Sequence, residues 1–213
     1  MGQRHTTFRF SSGLLARSAV GLVAGLALAS AAGAQDASVT PTLAMTLAPA
    51  TGGATLTVTS SAFKNDETLP SRYTQYGRNE SPPLHWSRGP DGTQSYVVLV
   101  EDSGVHRAEP IFHWVLYNVP GKVTHLAAHL PTTPELKMPA GAMNGLNIRK
   151  TSGYMGPRPP KGQTHPYHFE VFALDETLSL SPDMATRDAV VDAMKGHVLA
   201  EGEIIGNVSG PAQ

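Results

Sequence analysis

Tyr96-Val97-Val98-Leu99-Val100 is an unbroken run of β-branched, aliphatic and aromatic side chains. A strand with no polar side has no face to give to water, so it is expected to be buried on both faces. Ile111–Tyr117 and Tyr167–Leu174 are further runs of the same kind. Leu56-Thr57-Val58-Thr59 alternates, as a strand with one wet face does, and Val198 to Val208 reads as a last short strand. Gly and Pro, 21 and 17 of the 213 residues, break up the stretches between. Tyr73–Ser87 and Gly121–Thr164 read as turn and loop on that account. One helix is expected: Thr186 can cap it, Asp188 favours its positive end, Lys195-Gly196 closes it, and Val190, Val191 and Met194 give it an apolar face. The reading is a mainly β single domain with a C-terminal helix and a long structured loop, large enough to bury a core.

The first 34 residues stand apart. Arg4, Arg9 and Arg17 precede a run of small and apolar residues from Ala19 to Ala32, and Ala32-Gly33-Ala34 has the form of a signal-peptidase site. Residues 1–34 are therefore expected to be a cleaved secretory signal, residues 35–54 a flexible leader, and residues 55–213 the folded domain. The expected location is the periplasm or the exterior. The signal carries three of the 16 Lys+Arg and no acid, so the mature chain has 13 basic and 17 acidic residues. A net acidic, scattered surface gives no footprint for nucleic acid. No later stretch is apolar enough to span a bilayer. With no cysteine, disulfides, thiolate metal sites and Cys nucleophiles are excluded.

Polar residues within the apolar runs are the candidates for function. Strict alternation in 111–117 puts Ile111, His113, Val115 and Tyr117 on one face and Phe112, Trp114 and Leu116 on the other. A histidine there needs its ring nitrogens hydrogen-bonded. In 165–174, His165, Tyr167 and Phe169 share the inward face, while His168 and Glu170 share a face expected to be solvated. Asp102 ends the first run, where it could accept an imidazole N–H and so set a tautomer, or form a turn before Ser103-Gly104. There is no H-E-x-x-H helix and no G-x-S-x-G elbow. His165 and His168 fall on opposite faces and cannot chelate one ion. Catalysis, a cofactor and a metal are not expected.

Gly77-Arg78-Asn79-Glu80-Ser81-Pro82-Pro83-Leu84-His85-Trp86 resembles the first signature of the phosphatidylethanolamine-binding protein family, in particular its bacterial Raf-kinase-inhibitor-like branch. The resemblance continues through Glu101-Asp102 and His113-Trp114-Val115-Leu116-Tyr117-Asn118-Val119-Pro120. It is strongest over Gly153-Tyr154-Met155-Gly156-Pro157-Arg158-Pro159-Pro160-Lys161-Gly162-Gln163-Thr164-His165-Pro166-Tyr167, and Gly196 to Glu203 also fits. It covers roughly Leu56 to Val208. The family usually continues from this aspartate as Asp-Pro-Asp-Ala-Pro, whereas this chain reads Asp102-Ser103-Gly104-Val105-His106.

The resemblance implies a β-sandwich-like fold with a small pocket for anionic groups: phosphate, phospholipid headgroups or acetate-like ions. The family's pocket positions fall on Asp102, His113, His165 and Tyr167, with Gly156 to Pro160 on the rim and the Arg158 backbone N–H as a further donor. Two imidazole N–H groups and a phenol O–H would then be three converging donors for an anion. Asp102 would orient a histidine or meet a ligand ammonium, and its charge would raise nearby imidazole pKa values. The alternative is a protein-interaction module that inhibits a protease or another enzyme. The ligand, any protein partner and the oligomeric state are not specified by the sequence.

Overall fold

The structure is a computed structural model that describes residue 2 and residues 39–212. The expected export signal lies outside the described residues, apart from Gly2. The chain runs through α1 (Ala44–Leu47), β1 (Ala54–Thr55), β2 (Val58–Thr59), β3 (Glu67–Thr68), a 3-10 turn at Ser71–Tyr73, β4 (Leu84–Trp86), β5 (Ser95–Asp102), β6 (Ile111–Pro120), β7 (His125–Leu126), β8 (Met143–Asn144), β9 (Thr164–Leu174), α2 (Arg187–Met194) and β10 (Val198–Ser209).

The four long strands form the middle of a seven-stranded sheet ordered β1-β10-β9-β5-β6-β8, with β3 also beside β10. Pairing among β10, β9, β5, β6 and β8 is antiparallel, while β1 and β3 run parallel to β10. A second sheet, β2-β4-β7, has three short strands. The main core lies between the sheets: Leu56, Val58, Leu84, Trp86 and Leu126 meet Tyr96, Val98, Trp114, Phe169 and Val171. The opposite face of the large sheet, with Val97, Leu99, Val115, Tyr117 and Phe172, is covered by Val190, Val191 and Met194 of α2 and Ala44 of α1. Every residue of β5 is buried, as its lack of a polar side requires. Thr186 caps α2, its side chain accepting from Ala189 N at 3.3 Å. Among the described residues no helix is long and apolar enough to cross a membrane.

Three expectations change. The leader expected over 35–54 packs onto the domain from Pro41 onward: Pro41, Ala44 and Ala48 are buried, and Thr42 N donates to Ala108 O at 3.0 Å. Small apolar residues at Ala44 and Ala48 let α1 lie close against the sheet. The face bearing His168 and Glu170 is not solvated, because α1 covers it and Glu170 is fully buried. The third concerns β6. Val100 pairs with Trp114, but Glu101 pairs with Phe112, so His113 is the extra residue of a β-bulge. A bulge breaks the alternation and re-aims the side chain. Phe112 therefore packs with Val115 and Tyr117, while His113 joins the face of Ile111 and Trp114.

Candidate ligand-binding site

The bulge matters because of what lies on that face. At one end of the large sheet Asp102 of β5, His113 of β6, and His165 and Tyr167 of β9 line a cavity of about 300 Å³. Asp102 lies directly opposite Tyr167 in the β5–β9 ladder. The His113 and Tyr167 rings meet edge to face with centroids 5.2 Å apart, and the His165 ring lies 6.5 Å from that of Tyr167. Without the bulge His113 would point into the α2 side of the sheet.

The hydrogen bonds decide what each group can offer. His165 Nδ1 donates to the Asp102 carboxylate, 3.0 Å from Oδ1 and 2.9 Å from Oδ2, and its Nε2 is 2.9 Å from Gln163 Oε1. Both ring nitrogens are thus taken up by the protein. His113 Nδ1 donates to the Met155 carbonyl at 2.8 Å. Met155 N in turn donates to His113 O at 2.9 Å. This pairing selects the tautomer: in the neutral ring Nδ1 carries the proton and Nε2 is an acceptor. The Tyr167 hydroxyl is buried without a hydrogen-bond partner of good geometry, beside the Asp102 carboxylate and the Arg158 backbone N–H. The expected set of three free donors becomes one free ring nitrogen and one unpaired phenol.

The electrostatics also differ from expectation. Burial holds the His113 pKa below its ordinary value, outweighing the upward pull of the Met155 carbonyl and the Asp102 charge. Burial, with the Asp102 charge added, pushes the Tyr167 phenol far up, so it remains a donor at every physiological pH. Arg149 and Arg158, both exposed, supply positive charge at the lining.

The Ser103-Gly104 segment has a structural role of its own. Gly104 N donates to Asp102 Oδ1 at 2.8 Å, and Ser103 Oγ is 2.9 Å from His168 Nε2. A Cβ on Gly104 would lie 2.4 Å from His165 Cγ, so only glycine lets the loop lie against that ring. The aspartate thus receives a turn bond and an imidazole together.

The comparisons decide what this chain is similar to. The model of the phosphatidylethanolamine-binding protein family matches residues 59–209. The chain belongs to the phosphatidylethanolamine-binding protein family. It is 40% identical over 145 residues to the UPF0098 protein of Methanothermobacter thermautotrophicus, covering 68% of this chain and 93% of that one. Against Escherichia coli YbcL it is 35% identical over 154 residues, covering 69% and 84%. The crystal structure of YbcL, described as a new member of the mammalian PEBP family, superposes with a TM-score of 0.67 at 31% identity, over 73% of this chain and 99% of that one. A putative phosphatidylethanolamine-binding protein homologue from Chlamydia trachomatis gives a TM-score of 0.65 at 32% identity, over 73% and 97%.

Within this phosphatidylethanolamine-binding protein family member, the Gly77–Trp86 motif supports the rim and does not itself line the cavity. Asn79 Oδ1 accepts from Gly156 N at 2.7 Å, and Gln75 Nε2 donates to Gly156 O at 2.6 Å. Tyr76 Oη donates to the Pro159 carbonyl, and Gln75 N donates to Pro157 O at 2.9 Å. The Gly156–Pro160 rim is therefore strapped to the loop before the motif. Sequence reasoning singled out Asp102, His113, Arg158, His165 and Tyr167, and all five line the cavity. It missed Gln75, Arg149, Met155 and Gln163. Gln163 lies in the turn just before β9, two residues from His165, and touches the site only through that ring. Arg149 and Met155 sit in aperiodic chain and carry no strand signal.

Proposed function

We propose that this protein binds a small anionic group, in particular a phosphorylated or phospholipid headgroup, in the His113–His165–Tyr167–Asp102 cavity, without catalysing a reaction on it. The observation that carries the reading is the Tyr167 hydroxyl, buried at the cavity with no well-formed hydrogen bond to the protein. An unpaired buried donor costs about 1–3 kcal/mol, which a ligand oxygen would recover. His113 Nε2, an acceptor while the ring is neutral, suits a phosphate monoanion: the ligand P–OH donates to Nε2 while a second oxygen accepts from Tyr167. Protonated His113 would instead donate to a dianion. Arg149 and Arg158 add charge complementarity, and Asp102 lies where a headgroup ammonium would be favourable. Both His165 ring nitrogens are engaged, Nδ1 by Asp102 and Nε2 by Gln163, which suits the pair to an orienting role. About 300 Å³ is at the small end of ligand sites and suits a headgroup, with any acyl chain outside.

Calorimetric titration of phosphorylethanolamine and inorganic phosphate into the wild type and into His113→Ala and His165→Ala tests this. Saturable binding weakened roughly tenfold or more is expected in His113→Ala, which removes the free ring nitrogen, as loss of one charge-assisted bond is worth about 1.5–3 kcal/mol; His165→Ala, which removes the ring that holds Asp102 in place, should weaken it less. Equal heats for all three proteins would contradict it. Export belongs to the same proposal, and a mature N-terminus at Gln35, read by mass spectrometry of the secreted or periplasmic protein, would support it.

A further inference from the structure

The second sheet carries a pair of residues that the headgroup site does not use. His85 of β4 and His125 of β7 are directly opposite in the antiparallel ladder, and Thr59 of β2 is opposite His85 on the other side. All three are exposed, forming a row across the outer face of the three-stranded sheet. The two imidazoles stack with centroids 5.8 Å apart and planes 18° apart. Among the described residues neither ring is held by a hydrogen bond or an ion pair, unlike His113, His129, His165, His168 and His197.

We propose that His85 and His125 form a chelating site for a late first-row transition-metal ion, tightest for Cu(II) and weaker for Zn(II). Directly opposed residues have Cβ atoms about 4.5–5.5 Å apart, which lets both rings reach one ion. With metal–nitrogen bonds of about 2.0–2.1 Å, two imidazoles at a tetrahedral opening have centroids about 5 Å apart. The observed 5.8 Å needs less than one further ångström of approach, with rotation of two exposed rings about χ2. Imidazole is a borderline ligand that favours copper, nickel and zinc over calcium or magnesium, and the general stability order puts Cu(II) highest. The strands supply the pre-organisation, since β4 is pinned on both sides by β2 and β7. No group of three or more His, Cys, Asp or Glu among the described residues forms a closed cage, so water completes the coordination shell. The site is independent of the headgroup cavity.

The test is a titration of the untagged full chain with CuSO₄ and with ZnCl₂, read by calorimetry, and by electron paramagnetic resonance for copper. One ion per chain is expected, with nitrogen hyperfine structure from two equivalent imidazoles. His85→Ala and His125→Ala should each weaken binding by roughly tenfold or more, because one imidazole alone cannot chelate. His165→Ala should leave it unchanged. Both pair positions are exposed, so the substitutions spare the core. Unaltered affinity in either pair variant, or loss of binding in His165→Ala, would overturn the proposal.

Discussion

Glu101 and Asp102 are chain neighbours at the end of β5, yet they serve opposite faces of the sheet and meet opposite fates. Glu101 faces the α2 side, where both of its carboxylate oxygens find protein donors. Arg187 Nε donates to its Oε1 at 2.5 Å and Ala44 N to its Oε2 at 2.9 Å. Arg187 also donates to Thr42 O at 2.8 Å, so one guanidinium ties α2 and β5 to the chain just before α1. Asp102 faces the cavity, where the groups around it are held in place but not used up: Tyr167 keeps an unpaired hydroxyl and His113 a free ring nitrogen. Similar acids, one residue apart, make a lock on one side and a receptor on the other. The difference lies in whether a covering element is present.

The lock should give the largest effect. Arg187→Ala leaves Glu101 buried without its cation, which costs about 3–5 kcal/mol. Urea denaturation should show that loss, while headgroup affinity of the folded fraction stays unchanged. A loss under about 1 kcal/mol would mean that the face is wetter than described.

The receptor side should respond in the reverse sense. Tyr167→Phe removes a hydroxyl that makes no well-formed hydrogen bond within the protein, so stability should be unchanged or higher by up to about 1 kcal/mol. Phosphate affinity should fall about tenfold, or about 1.4 kcal/mol. A strongly destabilised Tyr167→Phe would show that the hydroxyl has an internal partner and that the two faces are alike.

Smaller, but of opposite sign on the two faces, are the pH slopes. Burial, with the Glu101 charge added, raises the Glu170 pKa well above 4.5. Its contribution to stability is full below that value and is lost as pH rises through the folded-state pKa. The His113 pKa lies below 6.5, so its contribution is full above 6.5 and is lost as pH falls towards the folded-state pKa. Relative to wild type, Glu170→Gln should gain stability as pH rises, and His113→Gln should gain as pH falls. Thermal melts across a pH series check both, and two parallel slopes would refute the contrast.

β5 was legible in the sequence because an all-apolar run has one physical solution, burial on both faces, whereas β10, read as a short strand, is the longest, with alternate residues only partly buried. The helix at 187–194 was legible because its cap and its apolar face agree. The parallel partners β1 and β3 were not, since two-residue strands carry no period. His113 was recognised as a candidate but assigned to the wrong face, because alternation assumes a regular ladder and the bulge lies in how β5 and β6 pair. Glu170 was misread for a related reason: its cover, α1, is a four-residue helix in chain that reads as a flexible leader. The donor chemistry of the site was hidden too, since the tautomer of His113 depends on a carbonyl 42 residues away.

The central claim is that the unpaired atoms of the cavity are there for a ligand. Its most direct test is nitrogen-15 NMR of the histidine side chains during titration with phosphate. The account predicts that His113 Nε2 shifts in a saturable way while His165 Nδ1 keeps its bond to Asp102. Saturating phosphate that leaves His113 unmoved, or that shifts only histidines outside the cavity, would contradict it.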